Sequence, residues 1–415
     1  MNALDGIRVL DLSRVLAGPW STQILADLGA DVVKVERPLT GDDTRGWGPP
    51  FLHDAQGRDT AESAYYLGTN RNKRSLTCDI ASPQGQDLIR SLALHSQVFI
   101  ENYKVGDMSR YGLDYATLKA INPKLVYCSI TGFGQTGPYR ERAGYDFAVQ
   151  AMGGLMSVTG ERDDVGGGPQ KVGVAVADLF TGMYATVAIL AAIRHAESTG
   201  LGQHIDMALL DTQVAMLANL GANFLVNGAT SALPQRMGNA HVNIVPYQVF
   251  ETAPKATTGE RDFVIVAVGN DGQFGKLCEV LGKADWSQDP RFVRNQDRVR
   301  HRGVLVPMIA DVLIKRGKYV WLEAMEAAKV PCGPINNLAE VFADPQVRAR
   351  QMVDHWQHGL GVPLDLVASP MKLSQTPVRR NLPPPSLGQH TDEVLKEWLG
   401  FDPSQCAALR QASAI

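Results

Sequence analysis

The chain reads as an α/β protein, a doubly wound, Rossmann-like parallel sheet followed by a smaller α+β domain, and three observations carry that expectation. Apolar strand-like runs alternate with helical segments through the first half of the chain, the pattern of a parallel sheet with crossover helices. Several of those runs are continuously apolar, as strands covered on both faces are. At 415 residues the chain exceeds what one hydrophobic core usually serves, so two domains are expected.

In order, GIRVLDL is a strand, PWSTQILADLG a helix with Pro19 in its first turn and Gly29 closing it, and DVVKVER a second strand. RSLTCDI follows as a strand and Ser82 caps the helix SPQGQDLIRSLALHS, after which QVFIENY and KLVYCSIT add further strands. The run VGVAVA, from Val172, reads as a buried strand, and LFTGMYATVAILAAI as a core helix. A long helix is expected over 211–227, then a Gly, Ala, Pro and Asn loop over 228–243. Alternating strands YQVFETA and FVIVAVG mark the smaller domain. The domain expectation is therefore 1–227 for the first part of a large domain, 233–330 for the small one, and 331–415 for a return to the first, with PCGPINN as the crossing and a capped C-terminal helix packing back.

Lys and Arg number 40 against 43 Asp and Glu, and the basic residues form no stripe, so nucleic acid is not an expected partner. Five widely spaced cysteines, without C-x-x-C or a Cys/His cluster, suit a reducing cytosol and offer no metal site. The N-terminus lacks a signal-peptide pattern, and the longest apolar run, 187–193, is shorter than the roughly 20 residues of a membrane span. A cytoplasmic protein without membrane contact is expected.

The residue of greatest chemical interest is Asp178, a lone carboxylate at the junction of VGVAVA and the apolar helix. It is either a helix cap or a nucleophile at the carboxyl end of a strand, where open α/β sheets gather ligands. Gly132, Gly134 and Gly137 spell G-x-G-x-x-G after KLVYCSIT. PYRERAGYD follows instead of a helix and no acidic residue closes a next strand, so dinucleotide binding is not expected. No G-x-x-x-x-G-K-[ST] loop exists for a nucleoside triphosphate.

The segments GIRVLDLSRVLAGPWSTQILADLGADVVKVERP, NRNKRSLTCDI, ENYKVGDMSRYGL, CSITGFGQTGPYRERAGYD, ADLFTG and TGLGQHIDMAL together resemble the family III CoA-transferases. GDDTRGWGPPF, HVNIVPYQVF, GPINN and PPPSLGQHT resemble the branch that acts on succinyl-CoA and glutarate. The resemblance implies an interlocked homodimer that binds no permanent cofactor and uses coenzyme A and acyl-CoA as substrates. Asp178 would attack the donor thioester to give an acyl-aspartyl anhydride, which CoA thiolate converts to an aspartyl-CoA thioester. An ordinary aspartate, with a pKa of about 3.9, would be ionised for this at neutral pH.

By position, Arg37 and Arg110 match arginines near the nucleotide phosphates, and Cys78, Asp79, Ile80, Ala81, Asn102, Tyr103 and Lys104 match stretches lining the nucleotide. Val15, Leu16 and Ala17 match the loop after the first strand, and Ala143, Gly144, Tyr145 and Asp146 the segment facing the reactive centre. On the residues alone, Arg37 could equally be a solvated strand end and Asp146 a helix cap. Leu16 stands where members acting on formate and oxalate have glutamine, and HVNI where they have glycines, which points to an acceptor with methylene groups. Arg45, then Arg14 and His241, are expected to hold the distal carboxylate; Arg45 could instead pair with Asp42 or Asp43. Two alternatives share the fold: a 2-methylacyl-CoA racemase, disfavoured because Tyr145 replaces its histidine, and a non-catalytic CoA-binding protein, disfavoured by the intact Asp178.

Overall fold

The computed structural model describes residues 2–228 and 233–415. The loop expected over 228–243 therefore has its residues 229–232 outside the described part. The chain forms two compact units, one made of Met1–Leu155, Val172–Ser231 and Gln346–Ile415, the other of Met156–Lys171 and Ala232–Pro345.

The larger unit is built on a six-stranded sheet from β1 (Arg8–Asp11), β2 (Asp31–Glu36), β5 (Lys73–Thr77), β6 (Val98–Glu101), β7 (Val126–Thr131) and β8 (His204–Ala208), in the order β5-β2-β1-β6-β7-β8. Every pairing is parallel. The hairpin β3 (Phe51–His53) and β4 (Asp59–Ser63) lies outside this sheet. Because the chain winds outward from β1 to β5 and restarts at β6 beside β1, the winding reverses between β1 and β6. A crevice opens there at the carboxyl ends of the strands.

Alternate strand residues enter two separate cores, as a period of two requires. Leu10, Val33, Leu76 and Phe99 pack with Leu88, Ile89 and Leu92 of the helix Pro83–Leu94 and with Val394, Leu395 and Trp398 of the helix Thr391–Leu399. Val9, Val32, Val98 and Val126 pack with Leu25 and Ala26 of the helix Ala17–Asp27 and with Ala185, Ile189 and Ala192 of the helix Val176–Thr199. Helices thus cover both faces, and truncating one of these core leucines to alanine would cost about 2–5 kcal/mol. Ser82 caps its helix, its hydroxyl accepting the Gly85 N–H at 3.0 Å.

The smaller unit carries the antiparallel sheet β11-β10-β9, from β9 (Tyr247–Thr252), β10 (Asp262–Ala267) and β11 (Cys332–Pro334). Its core gathers Phe250, Val264, Phe274, Leu277, Ile309 and Trp321. β12 (Val353–Gln357) and β13 (Pro363–Val367) form a hairpin in the larger unit.

Several expectations need correction. VGVAVA is not a strand: residues 172–175 carry no regular structure, and the helix begins at Val176. Gly173 and Ala175 offer too little side chain to bury, Val174 is exposed, and the Val172 N–H goes to the Gln150 side chain at 2.9 Å instead of a ladder partner. The strand that follows β7 in the sheet is β8, which the residue pattern left unnoticed. The helix expected over 211–227 is two helices, Leu209–Ala215 and Ala218–Asn227, bent by 73° with Ala218 at φ 44. No glycine or proline marks that break in the sequence. PCGPINN supplies β11, so the return to the larger unit falls at Gln346 and not at 331, and residues 156–171 join the smaller unit. The Val176–Thr199 helix, at 24 residues, is long and apolar enough to cross a membrane. Here it packs on the helix Ala17–Asp27, β7 and β8.

Candidate active site

Loops leaving the carboxyl ends of β1, β6 and β7 enclose a cleft of about 540 Å³ in the larger unit. Arg14, Val15, Leu16 and Ala17 line it after β1; Asn102, Tyr103 and Lys104 after β6; Ala143, Gly144 and Tyr145 from the segment after β7; and Asp178 from the start of its helix. Eleven of the expected site residues therefore share one cavity. Gly132, the first glycine of the G-x-G-x-x-G run, lines it too. Its Cα faces Gly144 so closely that an added Cβ would fall 2.5 Å from the Gly144 Cα. That close approach of two backbones accounts for Gly132, and Gly134 and Gly137 sit at φ 85 and 84, which glycine adopts without strain.

Asp178 lies in the first turn of the Val176–Thr199 helix but does not cap it. Asp146 does: its Oδ1 accepts the N–H groups of Ala177 at 2.8 Å and Asp178 at 3.4 Å, while its Oδ2 accepts Gln150 Nε2 at 2.7 Å. The capping duty is thus met by a residue 32 positions upstream, and the Asp178 carboxylate has neither ion pair nor hydrogen bond among the described residues. Burial, and then the charge of Asp146, push its pKa up to about 7. The expectation of an ordinary, fully ionised aspartate is corrected accordingly: near neutral pH the group is divided between its two forms. A half-buried, unpaired carboxylate at a helix N-terminus is available for bond formation as soon as it loses its proton.

Arg14 is fixed by reciprocal bonds with Asn102, its N–H donating to Oδ1 at 2.9 Å and its carbonyl accepting Nδ2 at 2.7 Å. Its guanidinium lies over the Tyr103 ring at 5.2 Å and pairs with Asp43 at 2.6 Å, leaving Nε buried without a partner. Arg37 is exposed at the end of β2 and acts electrostatically on Tyr103, so it stands beside this wall without lining the cleft. Arg110 is exposed and bonds Asp107 at 3.0 Å, itself a lining residue.

Other residues lie elsewhere. Cys78 is buried beneath Gly85, and the Asp79 N–H donates to the Ala414 carbonyl at 2.8 Å, so Asp79 is tied to the C-terminus, and none of residues 78–81 lines the cleft. Arg45 is not placed to hold a substrate carboxylate. It is buried, with Nε and one terminal nitrogen on Glu36 at 2.7 and 2.9 Å and the other on Glu62 at 2.7 Å, and it covers the Tyr66 ring at 3.7 Å. Its donors are already satisfied by two carboxylates. His241 belongs to the smaller unit, where its Nδ1 accepts the Asn243 N–H at 3.0 Å and its ring meets Tyr247 edge-on at 5.3 Å.

Trp47 and Tyr65 were not anticipated. Trp47 lines the cleft and meets Tyr65 edge-on at 5.2 Å. Burial and the charges of Asp178 and Asp146 push Tyr65 up to about 12, which puts it within electrostatic reach of the Asp178 carboxylate. GDDTRGWGPPF carries Trp47 two residues after Arg45, so the aromatic of that motif, not its arginine, lines the cleft. Among the described residues no group of three or more His, Cys, Asp or Glu could hold a metal ion.

The β1, β6 and β7 loops of the parallel sheet thus gather a candidate nucleophile, cationic side chains and backbone-rich walls in one cleft. The family model for CoA-transferase family III matches residues 4–391, and the chain belongs to that family. It is 51% identical over 394 residues to a succinate–glutarate CoA-transferase of Agrobacterium fabrum, covering 95% of each chain. It is 41% identical over 412 residues to the human succinyl-CoA:glutarate CoA-transferase, covering 99% of this chain and 90% of that one. A solved CAIB/BAIF family protein from Brucella suis superposes with a TM-score of 0.82 at 47% identity, over 96% of this chain and all of the other. The chain is therefore an enzyme that transfers CoA by the aspartyl route typical of its family.

Proposed function

We propose that this enzyme moves CoA from succinyl-CoA to glutarate or a related dicarboxylate, with Asp178 as the nucleophile. The carrying observation is the unpaired Asp178 carboxylate in the cleft that eleven expected site residues line. Its oxygen attacks the thioester carbonyl, forming an anhydride and expelling CoA thiolate. The thiolate attacks the Asp178 carbonyl, releasing succinate and leaving an aspartyl-CoA thioester. The acceptor carboxylate displaces CoA from that thioester to form a second anhydride, and the thiolate attacks the acceptor carbonyl to release the new acyl-CoA and the free aspartate. Each step exchanges one activated acyl bond for another, so neither ATP nor a metal is required.

Arg37, Asn102 and Lys104 are the groups we assign to the CoA side, where guanidinium and ammonium donors suit phosphates. With Arg45 committed to Glu36 and Glu62, Arg14 becomes our candidate for the distal carboxylate. Leu16 supplies an apolar wall for methylene groups, and the names of the Agrobacterium and human relatives support the same pair of substrates.

The Rossmann-like, doubly wound description of the sheet and an interlocked homodimer are part of the same proposal. Phe180, Met183, Tyr184 and Val187 leave one apolar stripe of the Val176–Thr199 helix exposed at spacings of three and four residues. A partner subunit would cover that stripe. We place the enzyme in the cytoplasm. Offering succinyl-CoA with glutarate, oxalate, itaconate, mesaconate and hydroxymethylglutarate tests the substrate assignment: glutarate should lead, and a clear preference for oxalate would refute it.

A further inference from the structure

The loop 13–17, between β1 and the helix Ala17–Asp27, gives the cleft Arg14, Val15, Leu16 and Ala17. Val15 has φ 72, in the left-handed region that a β-branched side chain occupies only under constraint. Beside the Asn102 bonds to Arg14, a second constraint comes from Asp42, whose two carboxylate oxygens each accept the Val15 N–H at 3.3 Å. Asp42 is buried and paired with Lys34 Nζ at 2.8 Å, and the same ammonium donates to the Ser13 carbonyl at 2.9 Å. One ion pair therefore grips the loop at two points. Asp42 also accepts the Thr44 N–H and hydroxyl at 2.9 and 2.8 Å, fixing the turn Asp43–Gly46 that pairs with Arg14 and leads into Trp47.

We propose that Asp42, with Lys34 as its buried counter-ion, is a positioning residue for acyl transfer. It holds the loop 13–17 in its strained form and so fixes the cleft wall against which an acyl group on Asp178 is placed. This rests on Asp178 being the nucleophile. Relaxation of the loop would shift that wall without removing any group that binds CoA. The expected mark is a loss in kcat with little change in KM for the acyl-CoA donor.

The test is a double-mutant cycle on the full-length enzyme. Asp42→Asn, folded by circular dichroism, should lower kcat about 10- to 100-fold with donor KM within about threefold, as misplacement by an ångström can do. Glycine enters the left-handed region without strain, so in a Val15→Gly background the same substitution should cost less than about fivefold. A kcat within twofold of the parent for folded Asp42→Asn, or an equal loss in both backgrounds, would overturn the proposal. If Asp42→Asn does not fold, Thr44→Val decides, since it deletes one hydrogen bond to Asp42 and leaves the ion pair. A kcat drop of about threefold that Val15→Gly abolishes supports positioning, and an unchanged kcat overturns it. Asp178→Ala in the same assay separates the two claims: retained transfer refutes the nucleophile and the proposal with it, whereas abolished transfer beside normal Asp42 variants refutes the positioning role alone.

Discussion

Asp42, buried, and Asp178, half-buried, are aspartates of one unit, yet their pKa values move in opposite directions. Burial would raise Asp42, but the Lys34 ion pair and the hydrogen bonds from Thr44 hold it at about 2. Asp178 has burial without a partner, and its nearest charge is another carboxylate, so it rises to about 7. Burial alone therefore does not decide whether a carboxylate serves the fold or the chemistry; the neighbours do. Several buried acids of this unit have a cation, Asp11 with Lys73, Glu36 and Glu62 sharing Arg45, and Asp42 with Lys34, whereas buried Glu101 has no ion pair among the described residues and burial pushes it up to about 7. Asp178 is left free because the N–H groups that could have stabilised its charge are given to Asp146.

The largest effect that could break this contrast is at Asp178 itself. Asp178→Asn, nearly isosteric, should lower transfer by about 1,000-fold or more while CoA still binds, as removal of a nucleophile does. Calorimetric CoA affinity within a few-fold of the parent, together with the lost turnover, is the expected pair of results. Arg45→Met is the counterpart in the paired region. Leaving Glu36 and Glu62 buried without their cation should cost about 3–5 kcal/mol in stability, measured by denaturant unfolding. A selective loss of dicarboxylate acceptors with unchanged stability would restore Arg45 to the substrate site.

The free carboxylate should also leave a trace in stability against pH. Its folded pKa is raised, so the native state holds the proton more tightly, and the contribution is fully present below about pH 4 and lost as pH rises through about 7. Asp178→Asn should accordingly gain on the parent as pH rises, by on the order of 2–4 kcal/mol at pH 8 and little at pH 4. A pH-independent difference would mean that Asp178 titrates normally. The smallest effect concerns Asp146. The parent kcat/KM should climb with unit slope to a plateau above about 7. Asp146→Asn keeps a carbonyl for the Ala177 N–H but removes a charge, and should move that limb down by roughly half to one pH unit. No movement would leave burial as the sole cause.

The sequence made much of the large sheet legible because β1, β2, β6 and β7 lie where their runs of Val, Leu and Ile indicate, while β5, KRSLT, lies within the expected strand stretch without such a run. β8, HIDMA, alternates charge with apolar residues at the sheet edge and carries no such run. VGVAVA misled for the converse reason, since small apolar residues resemble a strand whether or not a ladder awaits them. The loop residues Val15, Leu16, Ala17, Asn102, Tyr103 and Lys104 were legible through their family motifs, and the cleft gathers them. Arg45 was not, because its partners Glu36 and Glu62 lie 9 and 17 residues away and only the fold closes that distance. The raised pKa of Asp178 was equally invisible, being a property of what surrounds the group.

The most direct test of the central claim is to trap the covalent intermediate. Incubation with succinyl-CoA followed by hydroxylamine, then peptide mass spectrometry, should find a hydroxamate on Asp178 and none on Asp146 or Asp42. Full turnover with Asp178 unmodified, or a hydroxamate on a different carboxylate, would contradict the account.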